Sequence, residues 1–271
     1  MNDNFESIYD FDELKMFFGK DYWVTDKIKI SQPTIGQIVD FGDANFYSVV
    51  NKLCANPTSY RLFLWKNGID WNELTEYQLF CFLIKTITPD QSYLLFGDLN
   101  LSWFEVIHDS EKQADILIYV PRNENGEVQN FDYDEAIIID EFVYTKIVNY
   151  IRCMFNIYPK VERAKNKATK EAMIWEEEEK LKLQELKKEK EKEDRKKSFL
   201  LPLISSLVNH PGFKYKTNEL EDIGIVQFMD SVKRLSIYEN AIALLHGSFS
   251  GMIDVSGIDK SAFDWMRDLN K

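Results

Sequence analysis

Histidine and cysteine are both scarce in this 271-residue chain, three of each, and that scarcity excludes several chemistries. His108, His210 and His246 stand far from one another and from any cysteine. No C-x-x-C, H-E-x-x-H or mixed cluster therefore offers the spacing of a zinc site. Cys54, Cys81 and Cys153 are odd in number and each lies in an apolar stretch, which predicts reduced core thiols rather than a disulfide framework. A cysteine nucleophile would need an activating base, and no histidine is near one in sequence. No apolar run approaches the ~20 residues that cross a bilayer. The opening Met1-Asn2-Asp3-Asn4-Phe5-Glu6 has neither the basic nor the apolar part of a signal peptide. A cytoplasmic protein is expected, with no membrane partner.

Basic charge is also in short supply. The chain holds 33 Lys and Arg against 45 Asp and Glu, a net charge of -12. The excess is local: residues 1–160 carry 25 acidic and 13 basic side chains, whereas residues 176–197 balance at nine of each. An acidic surface repels phosphate backbones, so a nucleic-acid partner is not expected.

What is abundant is material for a core: 45% hydrophobic residues and 14% aromatic. Length favours two domains, and the texture divides the chain into four stretches. Residues 1–20 read as an acidic arm with a short amphipathic segment. Residues 21–160 read as an α+β domain. Within it Trp23 to Ile30 alternate apolar and polar like a half-buried strand. Thr34 with Gln37, and Thr75 with Gln78, have capping-box spacing; Asp43 is a candidate cap for the next helix. Asn56-Pro57 starts another helix that Gly68 ends. Residues 101–107, 115–120 and 136–139 predict a small antiparallel sheet of about three strands. Asp140 then caps a long helix along Tyr144, Ile147, Val148, Ile151, Phe155 and Tyr158, ended by Pro159.

Residues 161–197 read as a charged helical linker without a sustained heptad seam, so a long coiled coil is not expected. Glu176–Lys180, Glu178–Lys182, Glu191–Arg195 and Glu193–Lys197 are i,i+4 pairs worth a few tenths of a kcal/mol each, enough for a solvated spacer. Residues 198–271 read as a small all-α region: a helix over 200–208, a second one from Ile225 to Leu245, a glycine-punctuated loop over 247–254, and a terminal helix around Phe263 and Trp265. A region that small is expected to dock on another surface. The fold class is thus α+β, predominantly α.

Candidate sites are few. Gly247-x-x-x-Gly251 lacks the Lys-Ser/Thr of a phosphate loop. Asp132, Asp134, Glu135, Asp140 and Glu141 are dense, but their spacing is not that of a calcium loop, and acidic residues suit a helix N-terminus. No catalytic, metal or cofactor residue is assigned. The candidate protein-interaction residues are Tyr60, Phe63, Trp65 and Trp71, whose spacing fits core as well as surface; Leu200, Leu203 and Leu207 on a helix apolar on most sides; and Phe249 and Trp265.

Several segments carry a resemblance. They are Asn56-Pro57-Thr58-Ser59-Tyr60-Arg61-Leu62 with Gly68-Ile69-Asp70-Trp71, Asn166-Lys167-Ala168-Thr169-Lys170, Leu201-Pro202-Leu203-Ile204-Ser205-Ser206, His210-Pro211-Gly212-Phe213-Lys214-Tyr215, Phe228-Met229-Asp230-Ser231-Val232, Gly247-x-Phe249-Ser250-Gly251 and Asp264-Trp265-Met266-Arg267. From about residue 22 to 269 the chain resembles a family from siphophages and prophages of Firmicutes, encoded among tail-morphogenesis genes and similar in character to tail assembly chaperones. The resemblance implies a non-enzymatic protein of the host bacterial cytoplasm that oligomerises, coats the tape-measure protein and recruits tail-tube subunits. Two alternatives stand beside it: a structural virion component such as a tail, connector or baseplate adaptor, and an enzyme with a metal at the acidic cluster.

Overall fold

The computed structural model describes residues 10–110, 113–123, 125–133, 135–191, 198–251, 254 and 256–268, without the side chains of 188–191. The fold is α+β and predominantly α, 56% helical. In chain order come α1 (Glu13–Phe17), the two-residue strands β1 (Tyr22–Trp23) and β2 (Lys29–Ile30), α2 (Ile35–Phe41), α3 (Asp43–Leu53), α4 (Arg61–Lys66), α5 (Glu76–Leu83) and α6 (Pro89–Phe96). Strands β3 (Phe104–Asp109), β4 (Ala114–Tyr119) and β5 (Ile138–Ile139) precede α7 (Glu141–Phe155), α8 (Lys167–Glu191), α9 (Leu200–Val208) and α10 (Ile225–Phe249). The sheet is antiparallel in the order β3-β4-β5, with Val106 opposite Leu117 and Leu117 opposite Ile139.

Local chemistry sets most helix starts. Thr34 accepts from the Gln37 amide while the Gln37 side chain accepts from the Thr34 amide, and Thr75 and Gln78 repeat the exchange. Asn56 caps a 3₁₀ turn over Pro57–Tyr60 that leads into α4, and Asp140 accepts from Val143 N–H at 2.9 Å to start α7. Pro202 sits in the first turn of α9, where its missing donor costs nothing.

Some expectations are corrected. Residues 23–30 form a hairpin, not a strand: Tyr22 faces Ile30, and Val24 N–H bonds Ile28 carbonyl at 2.9 Å. The alternation arose because Val24, Ile28 and Ile30 point inward from a tight turn while Trp23 is exposed. Helix α7 stops at Asn156, before Pro159; Asn156 adopts a left-handed φ of 53° and its amide reaches back to the Arg152 and Cys153 carbonyls. Helix α10 runs through Gly247 to Phe249, and only Gly251, at φ +71°, breaks the chain. The expected terminal helix is a single 3₁₀ turn over Lys260–Phe263. Part of the acidic arm is anchored: Asp10 pairs with Lys146 at 2.7 Å and accepts from Tyr22 Oη, Phe11 packs edge-on against Tyr150, and Met16 is buried. Residues 1–9 lie outside the described residues.

The interior crosses the expected boundaries. One cluster joins Ile28, Ile38, Phe46 and Val50 to Phe104, Leu117, Ile147 and Ile151, and continues into Leu200, Leu207, Leu220, Ile225 and Phe228. The C-terminal region thus docks on the N-terminal domain and shares its core. Two further contacts fasten it. Residues Pro33 to Ile35 pair with Ile223 to Ile225, the Ile35 amide donating to Ile223 at 2.9 Å and the Ile225 amide to Pro33 at 3.0 Å. Asp43 accepts from Ser198 Oγ at 2.6 Å and Leu200 N–H at 3.0 Å. Gly42, with no side-chain bond, occupies the N-cap of α3; Asp43, expected to cap α3, instead holds the start of α9.

Candidate interaction surfaces

The aromatic residues after Asn56 divide between inside and outside. Trp71 is 2% exposed and packs edge-on against half-buried Trp65 at 5.9 Å, so Trp71 is no free surface. Both belong to a second, smaller core with Leu62, Leu64, Leu79, Ala164 and Ile174. Tyr60 is half-buried, and burial raises its hydroxyl pKa. Phe63, 62% exposed, projects from α4 and meets Tyr60 edge-on.

That second core also revises the linker. The stretch from Glu162 to Leu181 is not solvated throughout, because Ala164, Met173 and Ile174 supply an apolar face before the charge run begins. Arg61 forks between Glu162, at 2.7 Å, and Glu177; Lys170 pairs with Asp70; and Asn72 exchanges two hydrogen bonds with the Ala164 backbone. Burial opposes the charge on Arg61, but its two carboxylates outweigh this and raise its pKa. Glu178 reaches Lys66 at 3.4 Å, so Lys182 pairs with Glu179 at 2.8 Å instead of the expected Glu178. Glu176–Lys180 forms as expected, at 2.7 Å; Arg195, Glu193 and Lys197 lie outside the described residues.

Between α4 and α8 runs an open groove of about 340 Å³, lined by Tyr60, Leu62, Phe63, Lys66, Glu177 and Leu181. It combines an exposed aromatic ring, aliphatic walls and one charge of each sign. Beyond it α8 presents Leu183 and Leu186 to solvent.

The C-terminal candidates also split. Leu200 and Leu207 are buried, because the apolar face of α9 joins the common core rather than a partner; Leu203 is half-buried in the same interior. Phe249, 85% exposed, ends α10 in the open. Trp265 packs edge-on against Tyr238 at 5.7 Å, and its carbonyl accepts from Arg234. A separate cleft of about 250 Å³ lies between α1, α7, α10 and the C-terminal tail, walled by Met16, Phe17, Met154 and Met229 with Lys233 and Arg267 at its polar side.

Reactive groups are subdued. Burial pushes the Cys54 thiol up to about 12 against the pull of Arg152, and Cys81 up to about 11, so neither is a thiolate at neutral pH. His108 sits 3.0 Å from Asp115 on the exposed face of the sheet; His210 accepts from Gly212 N–H and lies 3.2 Å from Glu239. Asp140 and Glu141 occupy the start of α7, where an anion is stabilised by the helix N-terminus; Asp134 lies outside the described residues. Among the described residues no group of three or more His, Cys, Asp or Glu could hold a metal ion, and no helix is long and apolar enough to cross a membrane.

Sequence reasoning missed Arg61 and Leu181, and gave Asp43 a cap on α3 in place of its hold on α9. The partners of Arg61 and Asp43 lie more than a hundred residues away, and no local spacing signals them. No family model, no curated protein and no solved structure matches the chain.

Proposed function

We propose that this chain is a non-enzymatic, protein-binding protein, and that it acts as a phage tail assembly chaperone, binding the tape-measure protein and recruiting tail-tube subunits in the host cytoplasm. The observation that carries the binding reading is the α4–α8 groove, where Phe63 stands exposed beside Leu181 between Lys66 and Glu177. An aromatic ring with aliphatic walls and mixed charge at the rim is the composition of a site for an amphipathic helix. A tape-measure protein, long and helical, would supply such segments in series. The phage assignment itself rests on the sequence resemblance.

Co-expression with the tape-measure protein tests this reading. That protein is expected to become soluble and to co-purify with the wild-type chain, and to do so less with Phe63→Asp. Failure to associate overturns the chaperone reading. Mass spectrometry of purified virions separates it from the structural-component alternative, which requires this chain in mature particles in fixed proportion.

A further inference from the structure

Helix α8 has a docked face and, well away from it, an open one. Lys170, Ile174, Glu177, Glu178 and Leu181 turn towards the body through the contacts with Asp70, the second core, Arg61, Lys66 and the groove. With 3.6 residues per turn, the row Trp175, Glu179, Lys182, Leu186 lies roughly 130° around the helix from that face. Its steps of four, three and four residues are those of alternating heptad d and a positions. Trp175 is 66% exposed and Leu186 52%, with exposed Leu183 beside them. Glu179 and Lys182 form an open ion pair.

Read along the chain, the row runs apolar, acidic, basic, apolar. Read backwards it runs apolar, basic, acidic, apolar. Two copies of α8 laid antiparallel therefore place Trp175 against Leu186 and Glu179 against Lys182, each pairing occurring twice about a two-fold axis. A parallel pair in register would instead stack Glu179 on Glu179 and Lys182 on Lys182. We propose that this face of α8 is the contact between two copies of the chain, paired antiparallel through Trp175, Glu179, Lys182 and Leu186. Four positions make a short seam, so the dimer is weak and reversible, at the small end of specific interfaces. The charge run from Lys187 onward adds no apolar layer, which ends the seam there. The row and the α4–α8 groove occupy different faces, so this contact neither needs nor blocks a client in the groove.

Sedimentation velocity on the full chain, over a concentration series and without any partner, is the test. A concentration-dependent monomer–dimer equilibrium is expected, with Leu186→Asp weakening it at least about tenfold, the cost of unpaired charge in an apolar contact. Charge reversal gives the sharper reading. Glu179→Lys and Lys182→Glu each put like charges on facing positions and abolish the homodimer. An equimolar mixture of the two restores association as a heterodimer, although the pair within each helix is broken in both. Lys182 and Leu186 are exposed and Glu179 is half-buried with its carboxylate open to water, so the variants keep the wild-type circular dichroism. A monomer at every concentration overturns the proposal. So does a dimer that survives Leu186→Asp, or a mixture that associates no better than its components.

Discussion

Replacing Asp43 by alanine isolates the fastening between the two halves of the chain. Its carboxylate accepts from Ser198 Oγ at 2.6 Å, Leu200 N–H at 3.0 Å and Ala44 N–H at 2.8 Å. A lost helix cap costs about 1–2 kcal/mol, and hydrogen bonds to a charged group about 1.5–3 kcal/mol each. Asp43 is half-exposed, so water replaces part of that, and about 2 kcal/mol is the expected net loss. The larger share falls on α9, because two of the three bonds go to Ser198 and Leu200 and α3 loses only the Ala44 contact. In hydrogen exchange, α9 amides that open without global unfolding should then exchange about 30-fold faster, while those of α5 and α7 change less. Ser198→Ala should weaken the same amides by a smaller step, and the double variant by less than the sum. Unchanged α9 exchange, with fraying at α3 instead, would refute the assignment. The pH dependence has a definite sign. Burial raises the Asp43 carboxyl, but the Ser198 hydroxyl and the Leu200, Phe199 and Ala44 amides outweigh it and hold the pKa below 3.8. A depressed folded value means that this stabilisation is complete above the unfolded pKa near 3.9 and is lost as pH falls through the lower folded value. Docking of α9 should therefore weaken only in strong acid, and Asp43→Ala should abolish that component.

Gly36→Ala should lower the melting temperature by several degrees, because the new Cβ would stand 2.9 Å from the Glu221 carbonyl oxygen and force α2 from the 217–224 segment, an overpacking cost of about 1–3 kcal/mol. Urea denaturation should separate the aromatic pair: Trp71→Ala costs about 3–5 kcal/mol, whereas Phe63→Ala stays within about 1 kcal/mol. Arg61→Ala should expose the first half of α8 to limited proteolysis, because Glu177 loses its partner on α4 and Glu162 is left with Lys160; resistance equal to wild type would mean that the second core alone holds the helix. Cys54 and Cys81 should resist alkylation at neutral pH until the chain is unfolded, and rapid labelling of either in the native state would contradict their burial.

How much of this was legible depends on the range of the interaction. Thr34 with Gln37, Thr75 with Gln78 and Asp140 ahead of Val143 act over three residues, and each helix start was readable in advance. The three strands of the sheet were placed within a few residues, since β-branched runs and turns are also local. Interactions at long range were not. Arg61 looks like any surface arginine until Glu162 and Glu177 fold back on it, and α8 looks solvated until Ala164 and Ile174 find Leu62 and Trp71. The hairpin at Tyr22 to Ile30 misled because a tight turn with inward Val24 and Ile28 produces the alternation of a strand. Of the candidate surface residues, Phe63 and Phe249 face solvent, whereas Trp71, Leu200 and Leu207 are consumed by the fold, an outcome that depends on which faces meet.

The pairing of residues 33–35 with 223–225 has a consequence in time. During synthesis, at about 5–20 residues per second, on the order of 10–40 s separates the emergence of Thr34 from that of Gly224. For that interval α2 lacks the segment Thr217–Asp222 that packs against it and the Ile223 carbonyl that Ile35 bonds in the finished protein. Each nascent chain thus exposes a face of α2 that the finished protein covers. What meets the chain on the ribosome sees a different molecule from what meets it afterwards.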